Sequence, residues 1–438
     1  MRRFAALTAM VAVAVGAACS EPTGGGDPGA GGPLTTTTQV GLVRDCSKVG
    51  TIVECVPAGS IISDLLPPQA TRATGTPIKI GTINQDTGAA AAFPELTVAD
   101  KVAFEFINTE LDGLDGHPLE LITCDTRFSP DLSLQCAQQM VDEDVIAVVG
   151  GIDIWGDGIK VLEDNGIPYV GGIPVSFNAA RSPVSFQFSG GTWGAVLGEA
   201  KYAVDELAAE RVSIIHAEFA PITDAAEYGR RYLEGVGVDV KVVTVPPIGA
   251  DMVSAINEAG EGDPDAIIAL TADSGCVPTM ETAKQLELDA VLMLTGACAA
   301  PKIIDSAGDA VEGRIFNLEA ELGDEYPDNA LYQAIGDKYG PLFDYEVQGA
   351  GTVSFRAVMN LYVALRAIGA DAATPAAILD HFRNAKDAPS FFGHPYTCDG
   401  KQLAGLPALC APQQTLGRIE NGTVVPVSDW IDVGALVS

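Results

Sequence analysis

From Pro77 onward the chain alternates short apolar runs with longer segments whose apolar residues recur every three or four positions. IKIGTI (Ile78–Ile83) is rich in β-branched residues and stops at the polar, glycine-containing stretch NQDTG. Leu96, Ala99, Ala103 and Phe106 follow at a spacing that predicts an amphipathic helix. LELITCD (Leu119–Asp125) predicts the next strand, and Leu134, Ala137 and Val141 the next helix. VIAVVGG (Val145–Gly151) is almost wholly apolar, as a strand covered on both faces must be, and IPYVGGI (Ile167–Ile173) follows it. Strand, helix, strand, helix at this spacing predicts right-handed crossovers and a parallel sheet.

The same grammar restarts near Thr192. A helix over Trp193–Leu207 leads to VSIIHAE (Val212–Glu218), and one over Asp224–Leu233 leads to KVVTVP (Lys241–Pro246). DAIIALT (Asp265–Thr271) and AVLMLTG (Ala290–Gly296) supply further strands. After Tyr326 the pattern is mostly helical, with a long segment from Thr352 to Ile368 and another after Thr374, where Pro375 suits a first helical position. Asn421-Gly422 between apolar runs predicts a type I′ hairpin. The fold class expected is α/β, with two parallel-sheet lobes in one chain.

Charge and composition narrow the partners. The 438 residues carry 58 Asp+Glu against 25 Lys+Arg, a formal net charge of −33. That balance excludes nucleic acid, whose binding rests on Lys and Arg at phosphates, and excludes polybasic adhesion to anionic lipid. The start of the chain reads as an address. Arg2 and Arg3 precede an apolar run from Phe4 to Ala18, too short for the ~20 residues of a membrane-spanning helix. Residues 1–18 therefore read as a secretory signal peptide. Gly16, Ala17 and Ala18 before Cys19 resemble the lipobox of bacterial lipoproteins, with Gly16 where that motif usually has Leu. The resemblance implies lipidation of Cys19 and anchoring to the outer face of the bacterial cell membrane. Residues 19–75, opening with Gly, Pro and Thr, read as a tether with a small Cys46/Cys55 loop.

Apart from Cys19, the cysteines fall into sequential pairs: Cys46 and Cys55, Cys124 and Cys136, Cys276 and Cys298, Cys398 and Cys410. An even count in an exported chain predicts disulfides, although spacing leaves the connectivity open. No C-x-x-C occurs and the four His are far apart, so no metal is expected, nor any cofactor. The chain lacks G-x-S-x-G, H-E-x-x-H and the P-loop motif, and His117, His216, His381 and His394 read as structural. No enzyme activity is expected.

The order of strand, glycine loop and helix, then DTRFSPDLSLQCAQQMVDEDVIAVVGG and IPYVGGIPVSFN, resembles the type I periplasmic binding proteins. The nearest group is the branched-chain-amino-acid-binding (receptor ligand-binding region) family of ABC transporter solute-binding proteins, matched from about Pro77 to the end of the chain. The resemblance implies two Rossmann-like lobes joined by a hinge: residues 76–191 with 321–388, and 192–320 with 389–438. It implies a monomer that captures a small polar solute, an amino acid, amide or relative, and delivers it to separate permease and ATPase subunits. The alternative is a ligand-sensing module coupled to a membrane signalling receptor.

Open parallel sheets bind ligands beyond the carboxyl ends of their strands. That rule picks Asp86, Thr87, Asp153, Trp155, Ser176 and Phe177 in the first lobe. In the second it picks Glu218, Phe219, Asp273, Ser274, Thr295 and Gly296. The resemblance implies that hydroxyls and backbone N–H groups of lobe one hold a carboxylate, and an acid of lobe two an ammonium. The chain departs from that pattern after VIAVVGG, where the family offers Ser or Thr and this sequence reads Ile152, Asp153, Ile154, Trp155. An Asp there repels a carboxylate, and Trp155, Phe177, Phe219 and Phe93 would form an apolar or stacking wall instead. The competing assignment is local: helix N-caps for Asp153, Asp273 and Ser176, and plain packing for the aromatics.

Overall fold

The computed structural model describes residues 50–88, 91–323, 325–347 and 349–437; the expected signal peptide, Cys19, the segment to residue 49 and Cys46 lie outside them. The first lobe is laid down as β1 (Ile78–Asn84), α1 (Pro94–Glu110), β2 (Leu119–Asp125), α2 (Pro130–Asp142) and β3 (Val148–Val149). It continues with α3 (Asp157–Asp164), β4 (Tyr169–Val170), α4 (Phe177–Arg181) and β5 (Ser185–Phe186). Its five strands run parallel in the order β2-β1-β3-β4-β5. β3 and β4 are shorter than their apolar runs suggest, because the glycine pairs that follow turn the backbone away from the ladder. Gly150 and Gly151 have φ of 64° and 70°, and a Cβ on Gly151 would lie 2.3 Å from the Ile83 carbonyl oxygen. That approach requires glycine.

The second lobe begins with α5 (Gly191–Asp205), β6 (Arg211–Ala217), α6 (Ala220–Gly235), β7 (Asp239–Val245) and α7 (Met252–Gly260). It continues through β8 (Ala266–Leu270), α8 (Asp273–Gln285), β9 (Val291–Leu294), α9 (Pro301–Ala307) and β10 (Ile315–Leu318). Strand alternation puts Ile214 and Ile268 in a core with α5 and α6, and Ile215 and Ile267 in a core with α7 and α8. The chain then returns: α10 (Pro327–Tyr339), α11 (Gly351–Ile368) and α12 (Pro375–Arg383) join α1 in the first lobe's main core. Thr374 caps α12 ahead of Pro375, its hydroxyl accepting from the Ala377 N–H. A small antiparallel ladder, β11 (Ala388–Ser390) with β12 (Gly393–Tyr396), precedes β13 (Thr415–Glu420) and β14 (Thr423–Pro426).

The last two strands complete the second sheet, β14-β13-β10-β9-β8-β6-β7, in which β13 alone runs antiparallel to both of its neighbours among the described strands. Asn421 and Gly422 turn with φ of 53° and 75°, the conformation of the type I′ hairpin expected there. Phe391, Phe392 and Tyr396 pack in the first core, whereas Leu403, Leu406, Leu409 and Leu416 pack in the second. Residues 50–75 are not loose chain. Ile52 and Ile62 are buried in the first core, and Ser60 donates to Asp328 Oδ1 at 2.6 Å. Disulfides join Cys124 to Cys136, Cys276 to Cys298 and Cys398 to Cys410, and Cys55 is disulfide-bonded as well. Among the described residues no helix is long and apolar enough to cross a membrane.

A buried polar cluster fixes the end of β3. Thr82 Oγ1 lies 2.6 Å from the Val149 carbonyl oxygen and 2.8 Å from Asp100 Oδ2. The carbonyl is an acceptor only, so the Thr82 proton belongs to it and Asp100 supplies the proton of the second bond. Ser354 donates to Asp100 Oδ1 and accepts from the Gly151 N–H. Burial pushes the Asp100 carboxyl up to about 8, against the opposing effect of its hydrogen bonds with Ser354 and Thr82. The folded state thus keeps a proton that the unfolded chain gives up near 3.8, and this residue makes stability fall as pH rises from about 4 to about 8. Asp100→Asn should flatten the fall in unfolding free energy between mildly acidic and mildly alkaline buffer, measured by urea titration. Parallel pH profiles for variant and wild type would contradict a protonated Asp100.

Candidate functional site

The carboxyl ends of the parallel strands in both sheets face one cavity of about 460 Å³, walled by both lobes. Three segments carry the chain between the lobes, after β5, after β10 and before β13, and they meet at the cavity's edge. Glu319, just past β10, lines the cavity and joins all three. Its Oε1 accepts from Ser189 Oγ at 2.9 Å and from the Gly190 N–H at 2.8 Å, both in the first segment. Gln414 Nε2 of the third segment donates to the same oxygen at 2.8 Å. Arg356 on α11 holds Oε2 at 3.0 Å and also donates to the Glu319 carbonyl oxygen. Arg356 is only 2% exposed, so the ion pair is formed away from water.

The first-lobe wall comes from the loops after β1, β3 and β4. Asn84 at the end of β1 organises them: its Nδ2 donates to the Phe93 carbonyl oxygen at 2.8 Å, and its Oδ1 accepts from the Ile152 N–H at 3.1 Å. Phe93, Ile152, Ile154, Ile173 and Val175 reach the cavity from these loops. Opposite them stand Phe219, Leu270, Ala272 and Ala297 of the second lobe. Cys276 and Cys298 are fully buried behind that wall, tying the start of α8 to the loop after β9.

Of the residues chosen as ligand contacts, Phe219, Phe93, Thr295 and Gly296 line the cavity. Asp86, Thr87, Asp153, Trp155, Ser176, Phe177, Asp273 and Ser274 are not part of its lining. The polar ones are occupied locally. Asp153 is 2% exposed and points into its own lobe, accepting from Ser133 Oγ at 2.6 Å and from the Gly156 N–H at 3.0 Å. Burial raises its carboxyl above the ordinary range, against those hydrogen bonds. Ser176 caps α4, accepting from the Ala179 N–H at 3.2 Å. Asp86 accepts from Asn84 Nδ2, and Thr87 donates to Asp125 Oδ2 at 2.6 Å. Asp273, at the first position of α8, accepts from the Ser274 N–H and lies 3.9 Å from Lys302. Glu218 is exposed.

The aromatics divide similarly. Phe177 packs on Trp193, with the Arg181 guanidinium 4.3 Å over its ring. Trp155 stands between Phe128 of its own lobe and Phe219 of the other, each 5.4 Å away, the second edge-on at 84°. Phe128 and Phe219 line the cavity and Trp155 does not, so Trp155 braces the wall and bridges the lobes. Of the residues named by the strand-end rule, Phe219, Thr295 and Gly296 reach the cavity; in the first lobe the residues turned inward are the apolar neighbours of those it named. Ile152 and Ile154 flank Asp153, and Ile173 and Val175 precede Ser176. Glu319 and the wall from α10 and α11 had no motif to announce them. No group of His, Cys, Asp or Glu among the described residues is arranged to hold a metal ion.

Comparison with known proteins agrees with this geometry. A family model described as periplasmic binding protein matches residues 77–405. No curated protein matches the sequence. Among solved structures, a leucine binding protein from Thermotoga maritima is 19% identical, with a TM-score of 0.65 over 80% of this chain and 98% of that one. A fatty acid ABC transporter substrate-binding protein from Thermomonospora curvata is 15% identical, with a TM-score of 0.70 over 84% and 96%. A solute binding protein of an ABC transporter from Rhodopseudomonas palustris, in complex with 3,4-dihydroxy benzoic acid, is 16% identical, with a TM-score of 0.65 over 80% and 96%.

The Glu319–Arg356 pair predicts an asymmetry in stability. Glu319→Gln leaves a buried guanidinium without its counter-charge and should cost about 3–5 kcal/mol in urea unfolding. Combining it with Arg356→Met removes the orphaned charge and should recover most of the loss. A single variant within about 1 kcal/mol of wild type would mean the pair is not held away from water.

Proposed function

Because the chain belongs to the periplasmic binding protein family, we propose that it is the extracytoplasmic solute-binding subunit of an ABC importer, anchored through a lipid on Cys19. The observation that carries this reading is the cavity at the facing strand ends, walled by both lobes and bordered by the three segments that connect them. Opening about those segments admits a solute; closing brings Phe219 and Ala272 against it from the side opposite Ile152 and Ile173. The closed surface then presents a docking signal to a permease, and a separate ATPase drives release. Lobe one comprises residues 76–191 and 321–388 in this reading, and lobe two 192–320 and 389–438. Neighbours of the same fold carry names that mention leucine, a fatty acid and a dihydroxy benzoic acid. The scaffold accommodates different solutes, and the wall decides among them.

Two results test the proposal. Thermal unfolding of the purified protein across a panel of small metabolites should reveal at least one that raises Tm in a concentration-dependent way, as a ligand of the native state must. A flat panel spanning polar and apolar solutes would contradict solute capture. Trp155→Ala removes an aromatic contact that bridges the lobes without altering the lining itself. Such pairs contribute about 0.5–1.5 kcal/mol, so affinity for the stabilising solute should drop by roughly two- to tenfold in calorimetric titration. Unchanged affinity would mean that the contact takes no part in closure.

A further inference from the structure

We infer that the captured solute is lipophilic and enters the cavity without a net charge or a zwitterionic head; this rests on the solute-capture reading and names its ligand class. Size comes first. The cavity of about 460 Å³ is roughly three times the ~150 Å³ that suffices to enclose benzene. Its walls are dominated by aromatic and aliphatic side chains, with Phe93, Ile152 and Ile173 on one side and Phe219, Leu270 and Leu318 on the other.

Charge decides more sharply. Among the described residues no Lys, Arg or His lines the cavity, and the one acid that does, Glu319, has both carboxylate oxygens committed to protein donors. The polar side chains of the wall are largely spent in the same way. Thr271 donates to the Ala272 carbonyl oxygen, Thr295 to that of Thr271, and Thr352 to that of Gly349. Asn317 donates to Gln414 and accepts from the Gly296 N–H. An α-amino acid brings an ammonium and a carboxylate, and burying either without a partner costs several kcal/mol. Among its described residues the wall supplies no cation for the carboxylate and no uncommitted acid for the ammonium. A hydrocarbon or aromatic body loses nothing by entering and gains about 25 cal/mol for each Å² taken from water. Small polar groups have a place: Thr192, in the first turn of α5, is a nearly buried wall residue whose hydroxyl bonds no other described residue, and the exposed Gln333 and Thr423 line the cavity as well.

The test uses the neutral fluorophore N-phenyl-1-naphthylamine with the purified full-length protein, competed by decan-1-ol, decanoate and L-leucine. The expected result is one saturable site, emptied by decan-1-ol and untouched by a large excess of L-leucine. Decanoate should compete better in mildly acidic buffer, where more of it is uncharged. Ile173→Asp places a charge in the wall and should weaken fluorophore binding on the order of tenfold or more. Ala195→Phe, which fills the cavity with a neutral side chain, should do the same; circular dichroism of both variants checks that they fold. Displacement by L-leucine, or calorimetric binding of L-leucine without any fluorophore site, would overturn the ligand class and leave solute capture standing. Failure of every apolar and polar compound to bind would overturn solute capture itself.

Discussion

One buried carboxylate holds the two lobes in register. Glu319 sits on the second of three segments that pass between the lobes, takes hydrogen bonds from Ser189 and Gly190 on the first and Gln414 on the third, and is paired with Arg356 on α11. A buried ion pair does not by itself stabilise a fold, because desolvation offsets most of the attraction. It does penalise every arrangement that leaves either charge unpaired. The three segments are therefore constrained to move together or not at all, which is what a hinge between two lobes requires. Completing the pair within the protein also neutralises the one acid that faces the cavity among the described residues.

The apolar character of the cavity follows from a second local constraint. Each strand of a parallel sheet ends in a loop that must start a helix, and the exposed N–H groups of that helix need acceptors. Ser176 satisfies α4 in this way, while Asp153 and Ser133 do so at the entry to α3. Turned back onto the backbone, these side chains do not face the cleft. The residues left to face the cleft are the neighbours, Ile152, Ile154, Ile173 and Val175, whose burial between the lobes takes apolar surface out of water. The Cys276–Cys298 disulfide fixes the opposite wall at Ala272 and Ala297 in the same spirit.

Much of the fold is legible in the sequence because periodicity reports burial directly. The run Leu119–Asp125 is a strand over its whole length, Thr352–Ile368 falls within α11, and Asn421-Gly422 turns the hairpin. The runs at Val145–Gly151 and Ile167–Ile173 mislead about length, since glycines with positive φ end the ladder while the apolar character continues. Composition misleads over residues 50–75, where Ile52 and Ile62, spaced too irregularly to signal an element, anchor the segment to the first core. The site is legible only to the level of the loop. Polar residues at strand ends look like ligand contacts and caps alike, and only three-dimensional placement shows that Asp153 and Ser176 are spent. Glu319 carries no local signature, because its partners Ser189, Arg356 and Gln414 are scattered along the chain and meet only when both lobes have formed.

A crystal structure of the protein bound to its tightest competitor of the fluorophore is the most direct measurement. The ligand is predicted to be enclosed between Ile152 and Ile173 of one lobe and Phe219 and Ala272 of the other, with its apolar body against those side chains and no charged group beside it. A ligand held elsewhere, or a polar solute in the cavity with its charges paired to a displaced Glu319 or Arg356, would contradict both the site and the role assigned to the buried pair.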